Sequence, residues 1–475
     1  MSRRTAAALL LAIVSPLTLV ACGDDAASPD AGVDAALTCE APTPLVAGTP
    51  ATDAVADAPA RCGAPAYTWR RDATLGDVVD LGAPTEYAAD FLAALLQTQD
   101  LTLPVAPTYD TASRRVTYQT QDRGELVEAT ALVAYPTTPV DGELDVLLFL
   151  HGTSGFTDGC GVTGGGDTYG LLAAAVASTG YVVVAPDYLG LRGDGVATGF
   201  PHPYLVGEPT AIASLDAVRA ALRMAPAERG NQCASPRYAV LGGSQGGHAA
   251  MWVDRLAPYY ARELDLTGVV ATVPPSDILA ETTRALTQIV NATGNTIAFL
   301  GTAPAWYGVT SLSGAFASPW DADLPGILAS SCDPGDGIGT PTALSDVFTQ
   351  PLLDAAAGGT LDQVDPFGCV IAENGLPTTS VPRLATPAAS YGILNVFSEQ
   401  DNLVNTPIER VAYEQLCGDG VPLQYLECAG AGHTDSTLWA LSEILSFIQD
   451  RFAGVAFTPS CTADAPVTCS GTPAP

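Results

Sequence analysis

The sequence predicts an α/β protein: a mostly parallel sheet covered by helices on both faces and interrupted by one long insertion. Two observations carry that expectation. Short apolar runs at Val146–Leu150, Tyr181–Ala185, Tyr238–Leu241, Gly268–Val273, Gly392–Phe397 and Leu423–Leu426 recur along the chain, most of them separated by helical segments. Strands that are apolar on successive residues, rather than on alternate ones, are buried on both faces, as in parallel sheets. Between Pro274 and about Pro387 the alternation stops and gives way to a Gly-, Pro- and aromatic-bearing stretch such as Ile297-Ala-Phe-Leu-Gly-Thr-Ala-Pro-Ala-Trp-Tyr307. That stretch reads as a cap over a site in the core, with a separate small domain as the alternative. The expected boundaries are a core over 60–275 and 387–455, a cap over 276–386 and a tail over 456–475.

Met1-Ser-Arg-Arg4, an apolar run from Thr5 to Val20 and Leu19-Val-Ala-Cys22 form the three parts of an export signal that ends at a cysteine. The ending resembles a bacterial lipobox. That resemblance implies removal of residues 1–21, a lipid on Cys22 and, with Gly23 rather than Asp next, an outer-membrane or cell-surface address. The rival is an uncleaved anchor, but the run is shorter than the ~20 apolar residues that a span requires, and Ser15-Pro16 interrupts it. From residue 22 to 59 the chain is rich in Ala, Asp, Pro and Thr and poor in large apolar residues. It is expected to be a disordered tether, with Cys39 and Cys62, which flank most of it, as candidates for clipping its distal part.

Eleven cysteines less an acylated Cys22 leave ten, an even number that allows five disulfides in an exported chain. Neighbours in sequence, Cys332 with Cys369, Cys417 with Cys428 and Cys461 with Cys469, are plausible pairs, although spacing does not fix connectivity. No C-x-x-C pair occurs, so neither a zinc site nor a redox motif is expected. The formal charge of −32 arises from 51 acidic and 19 basic residues, and every basic residue is arginine. Without lysine there is no Schiff base, no Ser-Lys dyad and no P-loop. Nucleic acid is excluded as an expected partner because the basic footprint is missing.

Arg115 to Tyr135 shows two extended runs about Asp122-Arg-Gly124, a hairpin signature. Ile212, Leu215, Val218 and Leu222 repeat at helical spacing within Pro209–Leu222, and Leu438–Phe452 does likewise.

Chemistry concentrates at Val240-Leu-Gly-Gly-Ser-Gln-Gly-Gly-His248, a G-x-S-x-G turn between an expected strand, Arg237–Leu241, and an expected helix, Ala249–Leu256. In such a turn a serine is held in a strained backbone, and Gly242 and Gly246 let strand and helix approach. A serine hydroxyl is a weak nucleophile, so it requires a histidine base and a carboxylate to orient that base. Four histidines exist. The base is expected downstream of the serine, which leaves His248 and His433. His248 lies one turn along the serine's own helix and reads as a packing residue, so His433 in Cys428-Ala-Gly-Ala-Gly-His-Thr-Asp435 is the expected base. Asp401, in the loop after Gly392–Phe397, is the expected acid, with Glu399 as its rival. The oxyanion donors are expected to be the N–H groups of Gln245 and of Thr153, the latter in the loop after Leu148-Phe-Leu-His-Gly-Thr-Ser154. His151 is a candidate for ordering that loop.

With these residues in place the chain resembles the α/β-hydrolase superfamily, and more narrowly the secretory lipases and their peptidase-like relatives. The resemblance spans roughly 110–275 and 385–455. It rests on His151-Gly-Thr, Ala185-Pro-Asp-Tyr-Leu-Gly-Leu191, His202-Pro-Tyr-Leu205, Gly242-Gly-Ser-Gln-Gly-Gly247 and the Asp401 and His433 loops. It implies an α/β-hydrolase fold, a Ser-Asp-His triad, an acyl-enzyme intermediate, no cofactor and a cap inserted before the acid strand. Asp187 and His202 then order loops or line the pocket. The expectation is an exported, lipid-anchored ester hydrolase acting on a small-molecule or lipid ester. An exopeptidase with the same triad and a non-catalytic surface binding scaffold are the alternatives.

Overall fold

The computed structural model describes residues 38–47, 61–98, 101 and 103–473, apart from 165–166, 194–197, 334 and 387. The export signal, Cys22 and most of the expected tether lie outside the described residues. Thr38–Pro475 forms one unit.

Its centre is a ten-stranded sheet. The first strands are β1 (Val78–Leu81) and β2 (Thr85–Tyr87), followed by helix α1 (Ala89–Thr98). The expected hairpin is β3 (Thr111–Asp122) and β4 (Glu125–Pro136), paired antiparallel about Arg123 and Gly124, both at positive φ. Then come β5 (Leu144–Leu150), α2 (Asp167–Ala177), β6 (Val182–Pro186), α3 (Gly207–Arg223), β7 (Ala234–Gly243), α4 (Gln245–Tyr260) and β8 (Asp265–Thr272). Helices α5 (Ile278–Thr287), α6 (Thr293–Trp306), α7 (Trp320–Leu328), α8 (Gln350–Gly358) and α9 (Phe367–Asn374) make up the insertion. The chain returns through β9 (Gly392–Ser398), α10 (Thr406–Gly418), β10 (Leu423–Cys428), α11 (Asp435–Trp439) and α12 (Leu441–Phe452). The expected terminal helix is thus two helices, which meet at Ala440.

Strand order is β1-β3-β4-β6-β5-β7-β8-β9-β10, parallel from β6 to β10 and antiparallel at the β1–β4 end. Burial explains why the parallel strands are apolar on successive residues. Val146, Leu148, Val182, Val184, Tyr238, Val240, Val269 and Ala271 pack on one face with α3 and α4. Leu147, Val183, Ala185, Ala239, Leu241 and Val270 pack on the other with α2 and α12. The insertion has its own apolar cluster, which includes Phe299, Phe316, Phe348 and Phe367 and takes in Phe156, Tyr204 and Leu205 from the core loops.

The order in which strands are added to the sheet reverses about β5: β6 lies on one side of it and β7 on the other, all three parallel. In open α/β sheets the carboxyl ends of strands at such a switch point leave a crevice between diverging connections. Leu150 pairs with Gly242 there, so the loop after β5 and the turn after β7 emerge side by side.

Two expectations need correction. The distal tether is not free: Cys39 is bonded to Cys233, Ala47 N–H donates to Tyr259 O at 2.8 Å, and Val46 and Ala47 are buried. Five disulfides form, but the neighbour pairs do not: the bonds are Cys39–Cys233, Cys62–Cys369, Cys160–Cys332, Cys417–Cys461 and Cys428–Cys469. A disulfide requires Cα atoms close together, and the packing of the amino-terminal segment, the insertion and the tail, rather than sequence spacing, decides which are. Cys160 and Cys62 tie the insertion to the segments before it. The residues after α12 fold back, so that Val467 bridges Cys428 beside β10 and the tail cysteines reach α10 and β10.

Candidate active site

Ser244 follows β7 and precedes α4 with φ 56° and ψ −119°, a conformation that costs a non-glycine residue about 1–3 kcal/mol. Its neighbours hold it there. Ser244 N–H donates to Thr272 O at 2.9 Å and Ser244 O accepts His248 N–H at 3.0 Å. The two glycines of the turn have no room for a side chain: a Cβ on Gly242 would lie 2.0 Å from Gly246 O, and one on Gly246 would lie 1.9 Å from Leu150 O.

His433 is on the loop after β10. Its Nε2 is 2.9 Å from Ser244 Oγ, and its Nδ1 is 2.7 Å from Asp401 Oδ2. Asp401, on the loop after β9, is buried, and its other oxygen, Oδ1, accepts Leu403 N–H at 2.9 Å and Val404 N–H at 3.1 Å. An ionised carboxylate only accepts, so it fixes the imidazole with the proton on Nδ1 and leaves Nε2 as the acceptor facing the serine. The structure therefore brings Ser244, His433 and Asp401 together. Glu399 is exposed and instead accepts Gly430 N–H at 2.7 Å.

The loop after β5 is ordered by His151, which stacks on Tyr188 at 4.2 Å and whose Nδ1–H donates to Gly152 O at 2.7 Å. Tyr188 Oη donates to His151 O at 2.8 Å. In a trans peptide the carbonyl and the next N–H point opposite ways. Holding Gly152 O against the imidazole thus turns Thr153 N–H away from the ring. Gln245 is the first residue of α4, so its N–H is one of the four that have no acceptor within the helix. Its side chain is buried, with Nε2 donating to His202 Nε2 at 2.9 Å while His202 Nδ1–H donates to Leu189 O at 2.8 Å. Asp187 accepts from Thr130 of β4 and from the loop residues Thr163 and Gly193.

His151, His202 and His248 are neutral for one reason. Burial penalises the imidazolium and pushes their pKa values down to about 4, about 3 and about 4. His248 packs against Trp252 and donates from Nε2 to Asn374 O at 2.7 Å, away from the serine. The depressed values carry a stability prediction. Unfolded histidine takes up a proton near pH 6.5, whereas folded His248 does so only near 4. The unfolded state binds more protons between those values, so this histidine lowers stability as pH falls through that window. Replacing His248 by Gln is expected to reduce the stability lost between pH 7 and pH 5 by about 2 kcal/mol. Urea unfolding of both proteins at the two pH values measures this, and an unchanged loss would contradict a buried neutral imidazole.

Beside Ser244 lies a cleft of about 50 Å³, walled by Tyr204, Leu205, Ile278, Phe299, Leu403 and Val404, with Glu281, Thr282 and Asn295 also facing it. Two of its polar residues form a network that the sequence did not announce. Tyr204 Oη lies 2.8 Å from Thr153 Oγ1 and accepts from Asn295 Nδ2 at 3.0 Å, which connects the insertion to the loop after β5. These partners are 51 and 91 residues apart. The only local signal was Tyr204 in His202-Pro-Tyr-Leu205.

A family model for secretory lipases matches residues 165–326, a stretch that contains Ser244 but neither Asp401 nor His433. No curated protein sequence matches the chain. Among solved structures it is similar to the rice cell wall degrading esterase LipA from Xanthomonas oryzae, at TM-score 0.60 and 19% identity, over 80% of this chain and 97% of that one. It is also similar to Candida antarctica lipase A in its closed state, at TM-score 0.55 and 18% identity, over 84% of this chain and 85% of that one.

Proposed function

We propose that this chain, which has the α/β-hydrolase fold and resembles secretory lipases through its middle third, is an exported serine hydrolase of the lipase and esterase kind that cleaves carboxylic esters. One observation carries the reading. Ser244 Oγ, the His433 imidazole and the Asp401 carboxylate form a continuous chain of contacts at 2.9 and 2.7 Å, at the carboxyl ends of the strands and beside an apolar cleft.

Ser244 Oγ attacks the ester carbonyl as its proton passes to His433 Nε2, and Asp401 stabilises the imidazolium that results. The oxyanion forms against the N–H groups of Gln245 and Thr153. Gln245 N–H is at a helix start, and Thr153 N–H is turned by the His151–Gly152 contact. The tetrahedral intermediate collapses when His433 returns the proton to the leaving alcohol, which leaves Ser244 acylated. Water, deprotonated by His433, then releases the acid and restores the serine. Helices α5 and α6 form one wall of the cleft and act as the cap. The amino-terminal segment resembles a lipobox, and an acyl group on Cys22 would anchor the exported enzyme to a membrane.

An exopeptidase would require a free charge to hold a peptide terminus. The carboxylate in the cleft wall, Glu281, is already engaged by Arg284 and by Asn405 N–H, which favours the ester reading. Hydrolysis of a chain-length series of p-nitrophenyl esters beside a p-nitroanilide tests it, together with labelling by a fluorophosphonate. Esters are expected to turn over with the label on Ser244 while the anilide stays intact. Comparable cleavage of the anilide would point to a peptidase, and folded protein that cleaves neither would point to a binding scaffold.

A further inference from the structure

We infer that Glu281 and Arg284, on the first helix of the insertion, are positioning residues for Asp401, so that the wall of the acyl cleft also aligns the acid of the triad. The inference rests on the triad proposed above.

Asp401 orients His433 only if its carboxylate stays where it is, and that carboxylate is held by its own loop. Oδ1 accepts the N–H groups of Leu403 and Val404. The peptides of that loop are held in turn by α5. Arg284 Nη2 donates to Leu403 O at 2.7 Å, and Glu281 Oε1 accepts Asn405 N–H at 2.6 Å. The two side chains are locked to each other through Glu281 Oε2, which accepts Arg284 Nε at 3.0 Å and Nη2 at 2.7 Å. Both are largely buried, with side-chain exposures of 10% and 11%. A charge-assisted pair with little water around it holds its geometry more firmly than a surface pair.

The helix carrying them is itself anchored to the element that follows the acid loop. Glu409 of α10 is buried and accepts Ser276 N–H at 2.9 Å and Asp277 N–H at 3.4 Å, and Asp277 caps α5 by accepting Ala280 N–H at 2.9 Å. Nothing in this arrangement touches the reacting atoms. Its effect on catalysis runs through the placement of Asp401, and small misplacements of a catalytic group are costly. Because Glu281, Leu403 and Val404 also line the cleft beside Ser244, the same contacts couple the substrate wall to the triad.

The test uses the exported protein with its disulfides intact and a short p-nitrophenyl ester. Arg284→Ala is expected to lower kcat by about 10–100-fold while KM stays within about threefold. Arg284→Lys is expected to recover most of the loss, because an ammonium can sit between Glu281 Oε2 and Leu403 O. If the alanine variant does not fold, Glu281→Gln serves instead: it keeps an oxygen for Asn405 N–H and removes the charge pair, and kcat is expected to fall by about 3–10-fold. A folded Arg284→Ala or Glu281→Gln enzyme with the parent's kcat overturns the inference. So does a loss confined to KM, which would make the pair part of the pocket wall only. Ser244→Ala separates the two readings: turnover in that variant sinks the triad itself, whereas an inactive Ser244→Ala beside a fully active Arg284→Ala sinks only the positioning role.

Discussion

Ser244→Ala is expected to fold like the parent and to lose at least about four orders of magnitude of kcat on esters. The substitution removes the attacking oxygen and nothing that the fold depends on. Ser244 is the residue before α4, but its side chain makes no capping bond to the helix. The backbone contacts that hold the turn, from Ser244 N–H to Thr272 O and from His248 N–H to Ser244 O, survive the change. Alanine also has a Cβ of the same size, so it meets no new neighbour. Loss of the contact with His433 Nε2 at 2.9 Å leaves that imidazole without its proton donor but still oriented by Asp401. Steady-state hydrolysis, circular dichroism and urea unfolding on the same preparation measure the effect. Turnover near the parent's value in a folded variant would remove Ser244 from the mechanism.

Gly246→Ala is expected to be the opposite kind of change, costing about 3 kcal/mol or more of stability and taking activity with it. The added methyl would lie 1.9 Å from Leu150 O, 2.5 Å from Leu150 C and 2.7 Å from His151 O. All three are backbone atoms, so no rotamer change relieves the overlap, and β5 and α4 would have to part. Parting them disturbs the loop of His151, Gly152 and Thr153, where the oxyanion is proposed to bind. Gly418→Ala is the control. Gly418 lies at the end of α10, and an added methyl there would meet nothing within 4 Å. Replacing an exposed helical glycine by alanine stabilises a protein by up to about 1 kcal/mol. Urea unfolding of the two variants checks this; equal stability would contradict the close approach of strand and helix.

The features legible in the sequence are those whose physics is local. Strands buried on both faces must be apolar on successive residues, so the parallel strands could be read from runs such as Val182-Val-Val-Ala185. A turn that forces a serine to positive φ between a strand and a helix demands small residues at fixed offsets, and Gly242 and Gly246 stand at those offsets because each faces backbone. With four histidines in the chain, elimination reached the one that the fold brings to Ser244. Long-range pairing left no such mark. The cysteines allowed five bonds by count, but each partner was chosen by where the amino-terminal segment, the insertion and the tail pack, over separations from 41 to 307 residues. The segment 38–47 has the composition of a tether and is nonetheless pinned through Cys39. Likewise, nothing local marks Tyr204 and Asn295 as partners beside Thr153, or Glu281 and Arg284 as partners of the Asp401 loop. The sequence by itself determined the sheet, the strained serine turn and the residue types of the proposed triad, because backbone sterics and burial act within a few residues. Only the tertiary structure decided the disulfide partners and the contacts between insertion and site, because a hydrogen bond or disulfide depends on distance in space, which sequence separation does not encode.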